Sequence, residues 1–492
     1  MDKTSIATLG ELRKSGYNSK SVKDELRDNL IGFLRQNANP FTGIVGYEQT
    51  VIPQLERAIL AKHSINLLGL RGQAKTRLAR LLVNLLDEYM PIVAGSEVND
   101  DPLQPISHFA KHQIETLGDQ TPIAWVHRSE RYTEKLATPD VSIADLIGDV
   151  DPIKAANLKL SYADERVIHY GLVPRANRGI FVINELPDLQ ARIQVALFNV
   201  LQESDIQIRG FKLRLPMDIQ FVFTANPEDY TNRGAIITPL KDRIQSQILT
   251  HYPHDRQAGM AITRQEAKVN PQQQNHVTLP LLIEELIEQI AIEARESEYI
   301  DAKSGVSARL TISALEQAYS SAERRMLLNG DKQTHIRIAD LYQLIPAING
   351  KIELVYEGEQ EGGASVAQRL ISKAIRTLAI QYFPGIKKSK AKSANAALQS
   401  VAAWFNENQL DLPNDASEQL HKNQLAQVKP LKTALNAFEM PGNTPKELQM
   451  EFLLFAMAEH SLIGIQQYQT GASFTDVLGN YVDLNNFGPS AN

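Results

Sequence analysis

Short apolar runs alternate with amphipathic segments between residues 41 and 255. The apolar runs read SINLLGL, PIAWVHR, GIFVINEL and IQFVFTAN, and the amphipathic stretch TRLARLLVNLLDEY follows the first of them. Apolar runs of this length predict buried strands, and their alternation with helices predicts a parallel sheet with helices on its faces. The fold class predicted for this part of the chain is therefore α/β.

The remainder of the chain carries mainly helical periodicity, which is clear in LLIEELIEQIAIEAR and TISALEQAYSSAERRML. The acidic, glycine-bearing stretch EGEQEGGAS at 357–365 predicts a domain boundary, and Asn39 with Pro40 predicts the end of an opening helical segment. We therefore predict an N-terminal helical extension at 1–40, an α/β core at 41–255, a helical lid domain at 256–357 and a C-terminal mainly helical region of unknown role at 366–492.

Composition narrows the class of protein. A chain of 492 residues with 43% hydrophobic and 22% charged residues is typical of a folded protein with several domains. No apolar run approaches the roughly 20 residues that cross a bilayer, and the first residues lack the apolar core of a signal peptide. We therefore predict a cytoplasmic protein without membrane contact. Zero cysteines exclude disulfides, thiol catalysis and zinc sites of the CxxC type.

The charge balance disfavours nucleic acid as a partner, because a net charge of −6 gives no general attraction to it. The four lysines of FPGIKKSKAKSANA leave a local nucleic-acid contact open, although an exposed linker explains them more simply. His251 and His254 are the closest pair of histidines. Pro253 lies between them and disfavours a helix that would present both to a metal, so a structural or surface role is preferred for the pair.

The segment GLRGQAKT lies between an apolar strand and a predicted helix, as in a phosphate-binding loop. In such a loop the backbone N–H groups cradle phosphate, a lysine reaches the β and γ oxygens of ATP, and a hydroxyl ligates Mg²⁺. Lys75 and Thr76 are the candidates for the last two roles. Ala74 stands where the pattern has a second glycine, which matters only if this residue needs a positive φ or if phosphate passes against its Cα. The remaining candidate nucleotide contacts in the loop are Gly69, Leu70, Arg71, Gly72 and Gln73.

Two further apolar runs end in polar residues, at the edge of the predicted sheet where ligands bind. GIFVINEL carries Asn184 and Glu185 near its end, and IQFVFTAN ends in Asn226. A glutamate here orients and polarises the attacking water, and an acidic residue before it helps to hold Mg²⁺. Glu185 suits the first role, whereas the neutral Asn184 in the metal position predicts weaker Mg²⁺ binding or slower turnover. Asn226 is placed to bond both the γ-phosphate and the lytic water.

Two arginines complete the series of candidate residues. Arg243, in PLKDRI, lies about one turn into a predicted helix, from which its guanidinium could enter a neighbouring subunit's site and neutralise charge on the transferred phosphoryl group. Arg309, in GVSARLT, lies at the start of the helix TISALEQA and could contact phosphate. Both assignments depend on the order of these residues after the earlier motifs.

Together these segments resemble the AAA+ ATPases of the magnesium chelatase small subunit and MoxR group. The resemblance covers about 41–350 and passes in order through IVGYEQ, GLRGQAKT, GLVPRANRGIFVINEL, TANPED, PLKDRI and SARLT. It implies that Val45 and Gly46 in IVGYEQ belong to the adenine pocket, that GIFVINEL is the Walker B strand and that Asn226 is sensor 1, with Arg243 the arginine finger and Arg309 sensor 2. Residues 139–170 resemble the helix 2 insert of the group, and Gln207–Phe221 resembles the β-hairpin before sensor 1.

The resemblance also implies a homo-oligomeric ring, typically a hexamer, and a partner protein that carries a von Willebrand A domain. We predict an AAA+ ATPase that binds and hydrolyses ATP with Mg²⁺ to remodel or activate a partner protein. The main alternative is a nucleotide-binding assembly scaffold with weak or no hydrolysis, because Asn184 is neutral. A metal-chelatase motor subunit is a third hypothesis, and a nucleic-acid motor is a fourth that the acidic balance disfavours. On the sequence alone, Asn184→Asp is expected to raise ATPase activity or Mg²⁺ affinity, since it restores an anion.

Overall fold

The computed structural model describes residues 3–162, 164–208, 211, 214–227, 235–387, 392–440, 442 and 444–477. The chain divides into two compact units, unit 1 (Met1–His251) and unit 2 (Tyr252–Asn492). The division of the chain into four parts at 40, 255 and 357 remains a prediction.

The strands of unit 1 are β1 (Ile65–Leu68), β2 (Tyr89–Val93), β3 (Ile123–His127), β4 (Tyr132–Leu136), β5 (Gly148–Val150), β6 (Ile168–Tyr170), β7 (Gly179–Asn184), β8 (Asp205–Gln207), β9 (Arg214–Pro216), β10 (Ile219–Ala225) and β11 (Ser246–Leu249). Five of them form a parallel sheet in the order β11–β1–β10–β7–β4. The connection that follows β1 runs toward β4, at one edge of the sheet. The connection that follows β10 runs the other way, past β1 to β11. Ligands of open α/β sheets bind beside such a point.

The described α-helices of unit 1 are α1 (Leu9–Lys14), α2 (Val22–Arg35), α3 (Val51–Leu60), α4 (Lys75–Leu81), α5 (His108–Leu117), α6 (Ile143–Leu146), α7 (Pro152–Leu158), α8 (Leu172–Arg175), α9 (Ala191–Ala196), α10 (Phe198–Gln202) and α11 (Thr238–Arg243). Short 3₁₀ helices lie at Lys3–Ser5, Leu82–Leu85, Gly118–Gln120, Arg128–Arg131, Glu165–Val167 and Leu186–Asp188.

Both faces of the parallel sheet are buried. Successive side chains of a strand point to opposite faces. In β7, Ile180 and Val182 pack with α3 and α4, whereas Phe181 and Ile183 pack with the elements on the other face. A strand buried on both sides reads as a continuous apolar run, which is why the sequence showed it. The α/β fold with a parallel sheet is confirmed.

One strand assignment was wrong. The run PIAWVHR forms β3, which pairs antiparallel with β2 outside the parallel sheet. The fifth strand of the sheet is instead β4, with the sequence YTEKL, which pairs with β7 at the end of the strand order. Since β4 is an edge strand and is half-buried or exposed throughout, polar residues are tolerated there and no apolar run marks it.

The first 40 residues pack onto the rest of unit 1. The N–H of Leu9 donates to the Thr121 carbonyl, and the indole Nε1 of Trp125 donates to the Ile6 carbonyl at 2.9 Å. In α2, Glu25 forms a buried ion pair with Arg131, just before β4. These contacts make the N-terminal helices part of unit 1.

The two segments predicted as inserts form small antiparallel pairs. β5 and β6 pair with α7 between them, inside residues 139–170. β8 pairs with β9, and the turn around Gly210, predicted as the hairpin tip, lies outside the described residues.

Unit 2 is mainly helical. Its described α-helices are α12 (Arg256–Glu266), α13 (Pro271–His276), α14 (Leu281–Arg295), α15 (Arg309–Asn329), α16 (Ile338–Leu341), α17 (Ile345–Asn349), α18 (Tyr356–Glu361), α19 (Gly363–Tyr382), α20 (Lys392–Phe405), α21 (Glu418–Gln427), α22 (Lys429–Leu435) and α23 (Lys446–Glu459), with a 3₁₀ turn at Tyr342–Leu344. Its strands are β12 (Val277–Thr278), β13 (Thr334–His335), β14 (Leu410–Pro413), β15 (Gly464–Tyr468) and β16 (Gly471–Thr475).

The helices of unit 2 share one hydrophobic core, in which the apolar faces of α14, α15, α19 and α23 meet. A three-stranded antiparallel sheet, in the order β14–β16–β15, was not predicted from the sequence. The lysine-rich stretch predicted as a linker lies partly outside the described residues, at 388–391. Within the part of the chain that the structure describes, no helix combines the length and apolar character needed to span a bilayer.

Candidate nucleotide-binding and catalytic site

The loop GLRGQAKT leaves the carboxyl end of β1 and opens α4 at Lys75. Gly69 is buried, and a Cβ at this position would collide with Thr250 Oγ1 and Gln73 Oε1. Gly72 has a φ of 72°, in the left-handed region that favours glycine. Both glycines of the loop therefore meet a steric requirement, and the loop lies beside the switch point of the sheet.

Ala74 has a φ of 55° and a ψ of 17°, which is left-handed backbone. This answers the question that the sequence raised, because the position does need a positive φ. This conformation costs an L-residue with a Cβ roughly 1–2 kcal/mol. The alanine therefore keeps the glycine-type backbone of the loop under strain.

Gln73 is held by side chains from two other parts of unit 1. Thr250 Oγ1 donates to Gln73 Oε1 at 2.7 Å, and Tyr47 Oη donates to the Gln73 carbonyl at 3.0 Å. Tyr47 Oη is also 2.8 Å from the His251 carbonyl oxygen, and its ring meets the His251 ring edge to face. The segment IVGYEQ is thus attached to the loop through Tyr47, and His251 has a structural role in this attachment.

Val45 and Gly46, the predicted adenine-pocket residues, directly precede Tyr47. Both are half-buried, and Gly46 has a φ of 84°. Within the loop, Leu70 is half-buried and Arg71 is exposed. Tyr47 brings this segment to the loop, but contact of these residues with a nucleotide remains a prediction.

Lys75, Asn226 and Glu185 form one hydrogen-bonded chain. The buried ammonium of Lys75 donates to the carbonyls of Gly69 and Leu70 and, at 2.6 Å, to Asn226 Oδ1. Asn226 Nδ2 donates to Glu185 Oε2 at 2.9 Å. Three residues predicted from three separate motifs therefore meet at the carboxyl ends of β1, β10 and β7.

Glu185 has left-handed backbone, with a φ of 54°. Its N–H donates to Thr224 Oγ1 at 3.1 Å, which anchors the turn after β7 to β10. Backbone strain of this kind costs about 1–3 kcal/mol and clusters at functional sites.

Asn184 lies at the end of β7, is 7% exposed and is bonded at both ends of its amide. Thr224 Oγ1 donates to its Oδ1 at 3.1 Å, and its Nδ2 donates to Glu134 Oε1 at 2.9 Å. Burial raises the pKa of Glu134, but hydrogen bonds from Arg80 and Tyr132 outweigh it, so the pKa lies below its usual value. Glu134 is thus a carboxylate next to the neutral Asn184.

The donor set at this edge fits a Mg²⁺–nucleotide. Thr76 is half-buried in the first turn of α4, and Asn184 and Glu185 supply amide and carboxylate oxygens. Hydroxyl, amide and carboxylate oxygens are the ligands that Mg²⁺ prefers, usually together with substrate phosphates and water. The buried Lys75 places a positive charge at the same edge.

The two predicted arginines are placed differently. Arg243 ends α11, where its Nε donates to Gln202 Oε1 at 2.9 Å, its Nη1 donates to the Pro239 carbonyl and its guanidinium lies 4.6 Å from the centre of the Phe198 ring. Arg309 begins α15 in unit 2 and is exposed. Their roles as arginine finger and sensor 2 remain predictions.

Sequence reasoning missed four residues of this network, namely Tyr47, Thr224, Thr250 and Glu134. Thr224 lies inside a predicted strand, two residues before Asn226, so its position near the strand end was a usable signal. Tyr47 and Thr250 reach the loop from 26 and 177 residues away. Tyr47 lies in the segment IVGYEQ, directly after Gly46, whereas no local pattern marks Thr250. Glu134 lies on the polar edge strand that was not recognised.

Part of this chain matches a known family model, the Sigma-54 interaction domain, over residues 158–248. Curated relatives include the magnesium-chelatase 38 kDa subunit of Cereibacter sphaeroides, 26% identical over 236 residues, which covers 46% of this chain and 64% of that protein. The subunit of the same name from Rhodobacter capsulatus is 26% identical over 229 residues and is covered to 59%, with 46% of this chain matched. The chain thus spans less than two-thirds of the length of either relative.

Solved structures that match this chain include a putative ATPase from Cytophaga hutchinsonii, at 18% identity and a TM-score of 0.29, over 74% of this chain and 98% of that one. A chain from a model of the BchI–BchD complex of magnesium chelatase shows 20% identity and a TM-score of 0.34, over 65% of this chain and 98% of that one. The strand order of unit 1, β11–β1–β10–β7–β4, carries the fold assignment. The sequence matches support an AAA+ ATPase related to magnesium chelatase subunits.

Proposed function

We propose that this chain binds ATP with Mg²⁺ at Gly69–Thr76 and hydrolyses it, and that hydrolysis remodels or activates a partner protein. The backbone N–H groups of the loop and the start of α4 receive the phosphates, and Lys75 compensates their β and γ charges. Thr76 and Asn184 would hold the metal, which would supply positive charge to offset the charge that develops on the phosphates.

The observation that carries this proposal is the chain of hydrogen bonds from Lys75 through Asn226 to Glu185. Asn226 presents one amide that accepts from the phosphate-binding lysine and donates to the candidate base. Arrival of a γ-phosphate gives Lys75 a stronger acceptor than the neutral Asn226 carbonyl oxygen, because the phosphate oxygens carry negative charge and attract the ammonium by Coulomb interaction. The amide and the Glu185 carboxylate are then positioned to hold and polarise the attacking water.

The proposal extends to a homo-oligomer, with a hexameric ring as the expected form. The curated relatives are named as subunits of a larger enzyme, which supports assembly with a partner, and we propose a von Willebrand A domain as the form of that partner. In a ring, Arg243 completes the site of the next subunit and Arg309 reports the nucleotide state to the lid. Membership of the MoxR group and a cytoplasmic location are part of the same proposal.

A second candidate function is a nucleotide-binding scaffold that hydrolyses ATP slowly or not at all. The buried, neutral Asn184 in the metal position favours it. A chelatase motor subunit is a third, motivated by the names of the relatives, but these relatives match less than half of this chain.

The experiment that separates these candidates uses two substitutions and two readouts. Lys75→Ala is expected to abolish binding of a fluorescent ATP analogue, whereas Glu185→Gln is expected to keep binding and abolish phosphate release. Lys111→Ala, on the exposed side of α5, and Glu203→Gln, exposed at the end of α10, are matched controls that leave both readouts unchanged.

Unchanged analogue binding by the Lys75 variant would remove the phosphate-binding loop from the proposal. Binding without measurable phosphate release by the wild-type protein would favour the scaffold. Capture of partner proteins on the Glu185→Gln variant in ATP, with the Lys75→Ala variant as the control, identifies the partner, because a trapped ATP state holds it longer.

A further inference from the structure

An amide and a carboxylate face each other on neighbouring strands at the candidate metal position. In the register of β4 and β7, Glu134 lies opposite Val182, and Leu136 lies opposite Asn184. Residues two apart in a strand share a face, so Glu134 extends along that face toward the end of β7. Its Oε1 accepts a hydrogen bond of 2.9 Å from Asn184 Nδ2.

The Asn184 amide has one defined orientation. Its nitrogen points at Glu134, and its oxygen accepts from Thr224 Oγ1, which itself accepts from the N–H of Glu185. A carbonyl oxygen has two lone pairs, and Thr224 uses one of them. The amide oxygen therefore lies on the side of the base, Glu185, and the carboxylate lies behind the amide nitrogen.

Arg80 also binds this carboxylate. It lies in α4, the helix that follows the candidate phosphate-binding loop. Its Nε and Nη2 donate to the two oxygens of Glu134 at 2.9 and 3.1 Å. The Arg80 side chain is 63% exposed, so this ion pair contributes little to stability. Tyr132 Oη also donates to Glu134 Oε2 at 3.0 Å, so side chains from α4, β4 and β7 all donate to this one carboxylate.

We propose that Glu134 is a positioning residue that supplies the negative charge missing from position 184, acting through the Asn184 amide on the Mg²⁺ of bound nucleotide. This inference rests on the proposed function, since it requires that the chain binds Mg²⁺–ATP. A carboxylate that accepts the amide N–H polarises the amide and increases the negative charge on its oxygen. Arg80 opposes the effect, because it withdraws charge from the same carboxylate.

The arrangement changes the expectation for Asn184→Asp. The sequence alone predicts a gain in Mg²⁺ affinity. In the structure, the new carboxylate would stand where the amide nitrogen now lies, 2.9 Å from Glu134 Oε1, and two carboxylates at this distance repel. The gain is therefore expected only when Glu134 is neutralised at the same time, in the exchanged pair Glu134→Gln with Asn184→Asp.

The test measures how strongly Mg²⁺ promotes binding of a fluorescent, non-hydrolysable ATP analogue. Affinities are determined by titration with MgCl₂ and again in EDTA, for the wild type, Glu134→Gln, Arg80→Gln and the exchanged pair. Glu130→Gln, an exposed acid on the turn before β4, is the matched control. Thermal melting of each variant checks that it is folded.

Glu134→Gln is expected to weaken the apparent Mg²⁺ affinity about 10-fold, the usual loss when the outer partner of a metal ligand is removed, with binding in EDTA unchanged. Arg80→Gln breaks the same ion pair but is expected to raise the Mg²⁺ affinity, and the exchanged pair is expected to restore it. If the ion pair were merely structural, Glu134→Gln and Arg80→Gln would both lose Mg²⁺ affinity.

Three results would each overturn the role of Glu134. The first is a loss of Mg²⁺ affinity in both Glu134→Gln and Arg80→Gln, and the second is an equal loss of analogue binding with Mg²⁺ and in EDTA. The third is an exchanged pair that does not recover the Mg²⁺ affinity. If Glu134→Gln does not fold, two comparisons with the wild type still decide the question: the Mg²⁺ affinity of Arg80→Gln should rise, and that of the exchanged pair should equal the wild-type value. If the wild type does not bind the analogue, the proposed function itself is contradicted. The wild-type titration therefore separates failure of the proposed function from failure of the role of Glu134.

Discussion

The buried ion pair between Glu25 and Arg131 makes a strong prediction about the N-terminal helices. Arg131 Nη1 and Nη2 donate to the two carboxylate oxygens of Glu25 at 2.7 and 2.6 Å, and the side chains are 1% and 7% exposed. Removing one partner leaves the other charge buried and uncompensated, which costs about 3–5 kcal/mol. We predict that Glu25→Gln lowers the free energy of unfolding of unit 1 by this amount.

The local contacts support that magnitude. Arg131 also donates to the Arg178 carbonyl through Nε and Nη2, and Glu25 Oε1 accepts from the Asp87 N–H. Glutamine keeps one acceptor but presents an NH₂ group to the guanidinium, so one charged hydrogen bond is lost along with the charge. A hydrogen bond to a charged group contributes about 1.5–3 kcal/mol, and the unpaired charge adds to this loss.

Urea denaturation measures the change, followed by tryptophan fluorescence. The chain has two tryptophans, Trp125 in unit 1 and Trp404 in unit 2, so a Trp404→Phe background reports on unit 1 alone. Asp28→Asn is the matched control, because it breaks the Lys20–Asp28 pair, whose side chains are 51% and 45% exposed. Exposed pairs contribute about 0–1 kcal/mol. A loss in Glu25→Gln as small as that of the control would refute the reasoning and would show that α2 is not docked through this pair.

Three further predictions follow from other residues. Ala74→Gly is expected to leave the stability of unit 1 unchanged or raise it by up to about 1 kcal/mol, because relief of backbone strain at φ 55° opposes the entropy cost of glycine. The control Ala156→Gly, at an exposed position in α7, should lower the stability by about 1 kcal/mol. Equal losses of stability for the two variants in urea denaturation would contradict the strain at Ala74. Arg243→Ala is expected to keep ATP binding and lower hydrolysis, and mixing it with Glu185→Gln should restore part of the phosphate release if the arginine acts on the next subunit. No gain in mixed oligomers that demonstrably co-assemble would refute that assignment. Burial raises the pKa of Glu451 from 4.5 to about 7, so the folded state keeps a proton that the unfolded state has released; the stability of unit 2 should therefore fall as the pH rises from about 4.5 to about 7, and melting curves should show a flatter pH dependence in Glu451→Gln.

The N-terminal helices and Ala74 show how far sequence reasoning reaches. Helical spacing predicted α1 and α2, but the Glu25–Arg131 pair joins residues 106 positions apart, and no local pattern reveals it. For Ala74, the departure from the glycine pattern was visible in the sequence and defined the question. Only the backbone angle showed that the alanine occupies left-handed space.

The sequence by itself determined the parts of this protein whose signals are local. Buried strands β1, β7 and β10 read as apolar runs because both sides of the sheet are covered, and the loop after β1 follows from glycine spacing and the lysine that opens α4. The order of these motifs placed Lys75, Glu185 and Asn226 at one sheet edge, since the carboxyl ends of parallel strands meet there.

The tertiary structure alone decided which side chains complete that edge. Polar β4 joined the sheet because an edge strand tolerates exposure, and this brought Glu134 within 2.9 Å of Asn184, 50 residues away. Tyr47 and Thr250 reached the loop in the same way, through contacts between distant segments. Such contacts depend on how strands and helices pack. The side chains around Asn184 are therefore determined by tertiary packing as well as by the motif GIFVINEL.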